Sequence, residues 1–149
     1  MGKKISANDE QDLTALVRQR MKQSKASAQL GFEVETVQKG RAVFWLDVEA
    51  HHKQIHDVVH GGVLAALADT TAAIAAYTTI PKNAEIATLE LKINYLEPVL
   101  GGRITAEALV LRTGRNFVVV ECEIRDHKGV LAAKALLTFA ATAGHSLQP

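Results

Sequence analysis

The residues able to do chemistry lie close together in one stretch, Gln54 to Thr71, which reads QIHDVVHGGVLAALADTT. Asp69 is the only ionisable residue between Gly61 and Tyr77, in a run of Val, Leu, Ile and Ala. A carboxylate among apolar neighbours is costly without partners. Two readings are open: Asp69 is bonded into a nearby loop, or it is a general base or nucleophile in a dry pocket. His60-Gly61-Gly62 stands where a helix should begin. Glycine is poor inside a helix and is not the best N-cap. Either the turn needs positive φ, or the missing side chains let a ligand oxygen reach bare N–H groups at Gly61 and Gly62, where the helix dipole favours negative charge. His52, His56 and His60 are spaced four apart, and on a helix they would share a face able to hold a metal. Val58, Val59 and Gly61 make that segment a poor helix, and no pair of carboxylates joins it, so no metal is expected. His60 is expected to shape the turn through a backbone hydrogen bond, and His51 and His52 to be solvated loop residues.

The elements that must position these residues follow from periodicity. Leu13, Leu16, Val17 and Met21 form an apolar stripe opposite Arg18, Lys22 and Lys25. This predicts a tail over residues 1–8 and one amphipathic helix from Asp9 to about Ala28, stopped by Gly31. Two strands follow: Phe32, Val34 and Thr36 alternate with charged residues, and Ala42, Phe44, Leu46 and Val48 alternate after Gln38-Lys39-Gly40. A helix from His60-Gly61-Gly62 to about Thr79 is apolar nearly all round and is therefore expected to be enclosed by the rest of the protein. Its alanines allow close approach of a sheet or partner backbone. Four strands complete the chain: one carrying Leu89, Leu91, Ile93 and Tyr95, then Ile104 to Leu111, Arg115 to Arg125, and Val130 to Ala141, joined by short turns that imply antiparallel pairing. One sheet wrapped on one helix is the economical packing. Residues 1–30 are read as tail and amphipathic helix, and residues 31–149 as a single domain.

Bulk properties narrow the function. A chain of 149 residues with 48% hydrophobic and 22% charged residues reads as one ordinary globular domain. A net charge of +1 argues against broad binding to nucleic acid or an anionic membrane. Cys122 is the sole cysteine and sits in the alternating run Phe117 to Ile124, so it is read as a packing residue. No apolar stretch follows Lys3 and Lys4, and Val63 to Tyr77 is too short and too polar to span a bilayer. The expected address is the cytoplasm. There is no P-loop and no dinucleotide glycine motif, and no cofactor is expected.

The His60-Gly61-Gly62 turn followed by a helix bearing Leu67-Ala68-Asp69 resembles the signature of the hotdog-fold thioesterases related to the phenylacetate-pathway (PaaI-like) enzymes. The element order over residues 30–142 and the run Ile93 to Pro98 are similar too. The resemblance implies an α+β hotdog fold, an antiparallel sheet wrapped around a long central helix, and hydrolysis of an acyl-CoA thioester. It implies that Asp69 is the base or nucleophile, that the Gly61 N–H binds the oxyanion, that Gln54 helps hold the thioester carbonyl, and that Thr88 positions water. On strict period two, however, Thr88 shares parity with Glu90 and Lys92 and faces away from the helix unless a bulge intervenes. Arg103, Arg112 and Arg115 near strand ends are either solvated or reach the CoA phosphates, with Arg115 after Gly114 the first choice. Gly61 and Asp69 are eight residues apart, roughly 12 Å along a helix axis, too far for one chain to present both to one thioester. Two antiparallel helices about a two-fold axis solve this, and the resemblance implies such a homodimer, often paired into a tetramer. Two alternatives remain on the same fold: a non-catalytic acyl-CoA-binding protein, which would lack the acid, and a dehydratase, which would pair its carboxylate with a His in a turn containing Pro and Phe.

Overall fold

The computed structural model describes residues 7–143. Of the expected tail, only Ala7 and Asn8 fall within that range, where they open the first helix. The elements are α1 (Ala7–Met21), α2 (Lys25–Leu30), β1 (Glu33–Gln38), β2 (Arg41–Asp47), a short 3-10 turn (Ala50–His52), α3 (Gly61–Tyr77), β3 (Ala84–Tyr95), β4 (Arg103–Thr113), β5 (Phe117–Arg125) and β6 (Leu131–Ala143). The strands form one six-stranded sheet in the order β1-β2-β4-β5-β6-β3, antiparallel throughout. The sheet packs against α3, which is the expected hotdog arrangement.

Alternation puts one side of each strand on the helix. Ile104, Ala106 and Ala108 of β4, Val118, Val120, Cys122 and Ile124 of β5, and Ala133, Ala135, Leu137 and Phe139 of β6 are all buried. From α3 they meet Leu64, Leu67, Ala68, Ala72, Ala75 and Ala76. The buried Thr71 hydroxyl donates to the Leu67 carbonyl at 2.7 Å, so it is not stranded among these apolar neighbours. Cys122 is a packing residue, and burial pushes its thiol up to about 12, well above any reactive range.

Four expectations need correction. The N-terminal helix is two helices, because Ser24 caps a second one by accepting the Ser27 N–H. Gly31 ends that second helix with φ +71°. β1 departs from strict alternation, since its register shifts between Val34 and Thr36 and turns Val37 fully inward. His52 is buried, not solvated. Finally, α3 is not enclosed by its own chain: Ala65, Ala66, Asp69, Thr70 and Ala73 stay half-buried because the sheet covers only one side of the helix.

The two sheet edges are treated differently. At β1, α1 takes up the free backbone groups. The Thr14 hydroxyl accepts the Val37 N–H at 2.9 Å and donates to the Val37 carbonyl at 3.3 Å. Arg18 donates to the carbonyls of Val34 and Glu35 at 2.9 and 2.7 Å. Filling an edge strand's hydrogen bonds in this way removes it as a template for pairing. At the other edge, β3 pairs with β6 alone. It is instead tied to α3 through side chains at Tyr95, Thr88 and Glu85.

Candidate active site

Asp69 lies in the third turn of α3, on the half-buried strip beside β3. The Thr88 hydroxyl donates to Asp69 Oδ1 at 2.8 Å. A bulge makes this possible. The β3–β6 register runs Thr88 opposite Phe139 and then Glu90 opposite Thr138, leaving Leu89 as the extra residue. The inserted residue reverses the parity of the strand, so Thr88 faces the helix although Glu90 and Lys92 do not. Leu89 is 57% exposed as a consequence. One oxygen of Asp69 is thus held by a neutral donor and the other is left for solvent or substrate.

The start of α3 is built from two side chains. His60 occupies the N-cap, and its Nδ1 accepts the Gly62 N–H at 2.8 Å. The Tyr95 hydroxyl donates to the Gly61 carbonyl at 2.9 Å. Both glycines are explained by these neighbours: a Cβ on Gly61 would lie 3.0 Å from the Tyr95 ring, and one on Gly62 would lie 2.9 Å from His60 Nδ1. Neither needs positive φ. The Gly62 N–H is therefore spent on His60. The Gly61 N–H makes no hydrogen bond among the described residues. As the first N–H of a helix it has no partner inside that helix, and it carries the positive end of the dipole.

Gln54 sits in the loop that leads to this turn. The Gln54 N–H donates to the Val58 carbonyl at 2.9 Å, and the side-chain Oε1 accepts the His56 N–H at 3.0 Å. The side-chain Nε2 is the free donor of that amide. His52, His56 and His60 do not share a helix face, because only Ala50–His52 is helical and the rest is loop. Among the described residues no group of three or more His, Cys, Asp or Glu side chains is placed to hold a metal.

The arginines separate. Arg103 forks Nε and Nη2 onto the two oxygens of Asp47 at 2.8 Å each and stacks 3.6 Å above the Trp45 ring. That hydrogen-bonded pair holds the Asp47 carboxyl below its ordinary range and raises Arg103. The pair commits Arg103 to its neighbours. Arg112 and Arg115 are exposed around the β4–β5 turn. The adjacent Thr113 hydroxyl donates to Thr79 at 2.8 Å, which places the turn at the C-terminal end of α3. Across a helix of 17 residues that end lies roughly 25 Å from Gly61. Within one chain, then, the structure brings Asp69 and Thr88 together and sets His60 and Gly61 at the helix start, with Gln54 in the loop before it, but leaves Arg112 and Arg115 remote. Sequence reasoning places Tyr95 in a strand and in the run Ile93 to Pro98, and nothing in that position signals the contact with Gly61.

Comparisons with known proteins place the family and the fold. The description of the thioesterase superfamily matches residues 56–133. A 1,4-dihydroxy-2-naphthoyl-CoA hydrolase of Listeria monocytogenes is 32% identical over 111 residues, covering 74% of this chain and 90% of its own. The fold is similar to that of a Haemophilus influenzae thioesterase, with a TM-score of 0.80 at 25% identity over 99% of this chain and 97% of that one. It is similar as well to the Escherichia coli PaaI protein from the phenylacetic acid degradation operon, with a TM-score of 0.78 at 25% identity over 88% and 95% of the two chains.

Proposed function

Because the chain belongs to the thioesterase superfamily and is a thioester hydrolase, we propose that its substrate is an acyl-CoA, hydrolysed to the free acid and CoA at Asp69. The observation that carries this reading is the pairing of a Thr88-held Asp69 with an uncommitted Gly61 N–H at a helix start. The name of the Listeria relative, a CoA hydrolase, supports CoA as the leaving group. In the proposed reaction the thioester carbonyl oxygen rests on the Gly61 N–H, and Gln54 Nε2 is a second donor. Donors already in place where negative charge develops are worth on the order of 10²–10³ in rate each. Asp69 then either takes a proton from the attacking water, so that the C–S bond breaks and the departing CoA thiolate recovers that proton, or attacks the carbonyl itself, releasing CoA thiolate and leaving an acyl–Asp69 anhydride that water hydrolyses to the free acid. Thr88 orients the carboxylate for either route. His60 holds the turn, with Gly62 as its partner.

The site is completed by a second chain. Three features support this: the roughly 12 Å between Gly61 and Asp69, the half-buried strip on α3, and a β3 edge left open while β1 is covered. An antiparallel partner helix sets the Gly61 end of one chain beside Asp69 of the other. It also brings the partner's Arg112–Arg115 turn toward the helix start, which is how Arg115 reaches CoA phosphate. Leu109, Phe117 and Leu136, exposed on the far side of the sheet, support further pairing of dimers. Among the described residues no helix is long and apolar enough to cross a membrane. A cytoplasmic address fits a lone, buried, unpaired thiol.

A hydrolysis screen over aliphatic and aromatic acyl-CoAs, run beside Asp69→Asn, tests the reading. Thioester turnover by the wild type that falls at least about 10²-fold in a folded Asn variant supports it. Near-normal turnover by the variant removes Asp69 from the mechanism.

A further inference from the structure

His52 is 1% exposed, although it lies between the exposed His51 and the loop that carries Gln54. Both of its ring nitrogens are engaged. Nδ1 accepts the Glu49 N–H at 2.9 Å, and Nε2 lies 3.0 Å from the Leu30 carbonyl that ends α2. Together these bonds fix the neutral tautomer with its proton on Nε2. The His52 carbonyl accepts the His60 N–H at 2.8 Å, and Lys53 forms an antiparallel bridge with Val59. The loop from Lys53 to His60 is therefore closed at its base, while its tip, Ile55 to Asp57, is exposed. Gln54 rides on one arm and Gly61 follows the other. The ring of His52 is what fastens that base to the end of α2.

On the thioesterase reading above, we propose that His52 is a positioning residue, setting the places of the Gln54 amide and the Gly61 N–H relative to Asp69. It touches neither substrate nor reacting atoms. A displacement of about 1 Å in a catalytic donor can cost on the order of 10² in rate, so a loosened base should be felt in turnover before binding.

Two conservative variants of the full chain divide the anchor. His52→Gln keeps a donor for the Leu30 carbonyl and loses the acceptor for Glu49. His52→Asn does the reverse. Three measurements are made on each: kcat and KM with the best acyl-CoA, thermal unfolding, and amide hydrogen exchange across residues 53–62. Both variants are expected to stay folded, with kcat down about 10-fold, KM within about two-fold, and exchange in that segment faster by about 10-fold. A lowered Tm with wild-type kcat per folded molecule overturns the proposal, as does unchanged exchange across 53–62. A wild type that hydrolyses no thioester sinks the thioesterase reading instead. The exchange measurement then decides the anchor alone: faster exchange upholds it and unchanged exchange overturns it.

Discussion

Replacing Thr88 with Val keeps the side-chain shape and removes one hydrogen bond, the 2.8 Å donation to Asp69 Oδ1. Hydrogen bonds to charged groups contribute roughly 1.5–3 kcal/mol. Thr88 is exposed and Asp69 half-buried in the single chain, so water competes for the carboxylate and the lower end applies. About 1.5 kcal/mol corresponds to roughly a tenfold loss in rate. The loss belongs in kcat, because Thr88 orients the attacking group and does not grip the acyl chain. Stability should change by less than about 0.5 kcal/mol, as for other exposed substitutions. Free CoA thiol is followed continuously with a chromogenic disulfide. Thr88→Ser, which keeps the hydroxyl, should stay within about threefold of wild type, a ratio that corresponds to less than 1 kcal/mol. Wild-type turnover by Thr88→Val, or equal losses in the Val and Ser variants, would refute the claim that this hydrogen bond aims Asp69.

Three further outcomes follow from the same geometry. Gln54→Ala should lower kcat about 10-fold or more while KM moves little, since the Nε2 donor acts mainly on the transition state; a change confined to KM would make Gln54 a general binding contact. Arg115→Ala should raise KM for acyl-CoA several-fold and spare a short thioester lacking the nucleotide, and equal effects on both substrates would remove Arg115 from phosphate recognition. Burial, and next the neighbouring His51, hold the His52 pKa below its ordinary 6.5, against weaker opposing pulls from the Leu30 carbonyl and Glu49. The unfolded chain therefore takes up this proton first, so stability present above about pH 6.5 is lost as pH falls through the folded value. His52→Gln should flatten the fall of Tm below pH 6.5, whereas parallel curves for the two proteins would contradict this.

What the sequence makes legible here is what regular periodicity and local chemistry carry. The turn His60-Gly61-Gly62, the apolar helix bearing Asp69 and the later strands are all visible, because each depends on near neighbours in the chain. The bulge at Leu89 is not visible, since one inserted residue leaves no periodic trace, yet it alone decides that Thr88 meets Asp69. The burial of His52 depends on Leu30, which is 22 residues away. The fate of Arg103 depends on a register that sets it opposite Asp47. The break at Ser24 is a cap signal that the apolar stripe of α1 obscures. The half-buried strip on α3 reflects a sheet covering only one side of the helix, a tertiary fact that a nearly all-apolar helix sequence cannot express.

The central claim, one site made from two chains, is tested most directly by mixing two inactive partners. One chain carries Asp69→Asn. The other carries Gly61→Val, whose added Cβ would meet the Tyr95 ring at 3.0 Å and crowd the donor turn. In a shared site the heterodimer gathers both lesions at one site and leaves the other whole. Heterodimers purified through two different tags should then recover up to about half of wild-type turnover per dimer. Verified, folded heterodimers that stay inactive, or an active species that sediments as a monomer, would contradict the account.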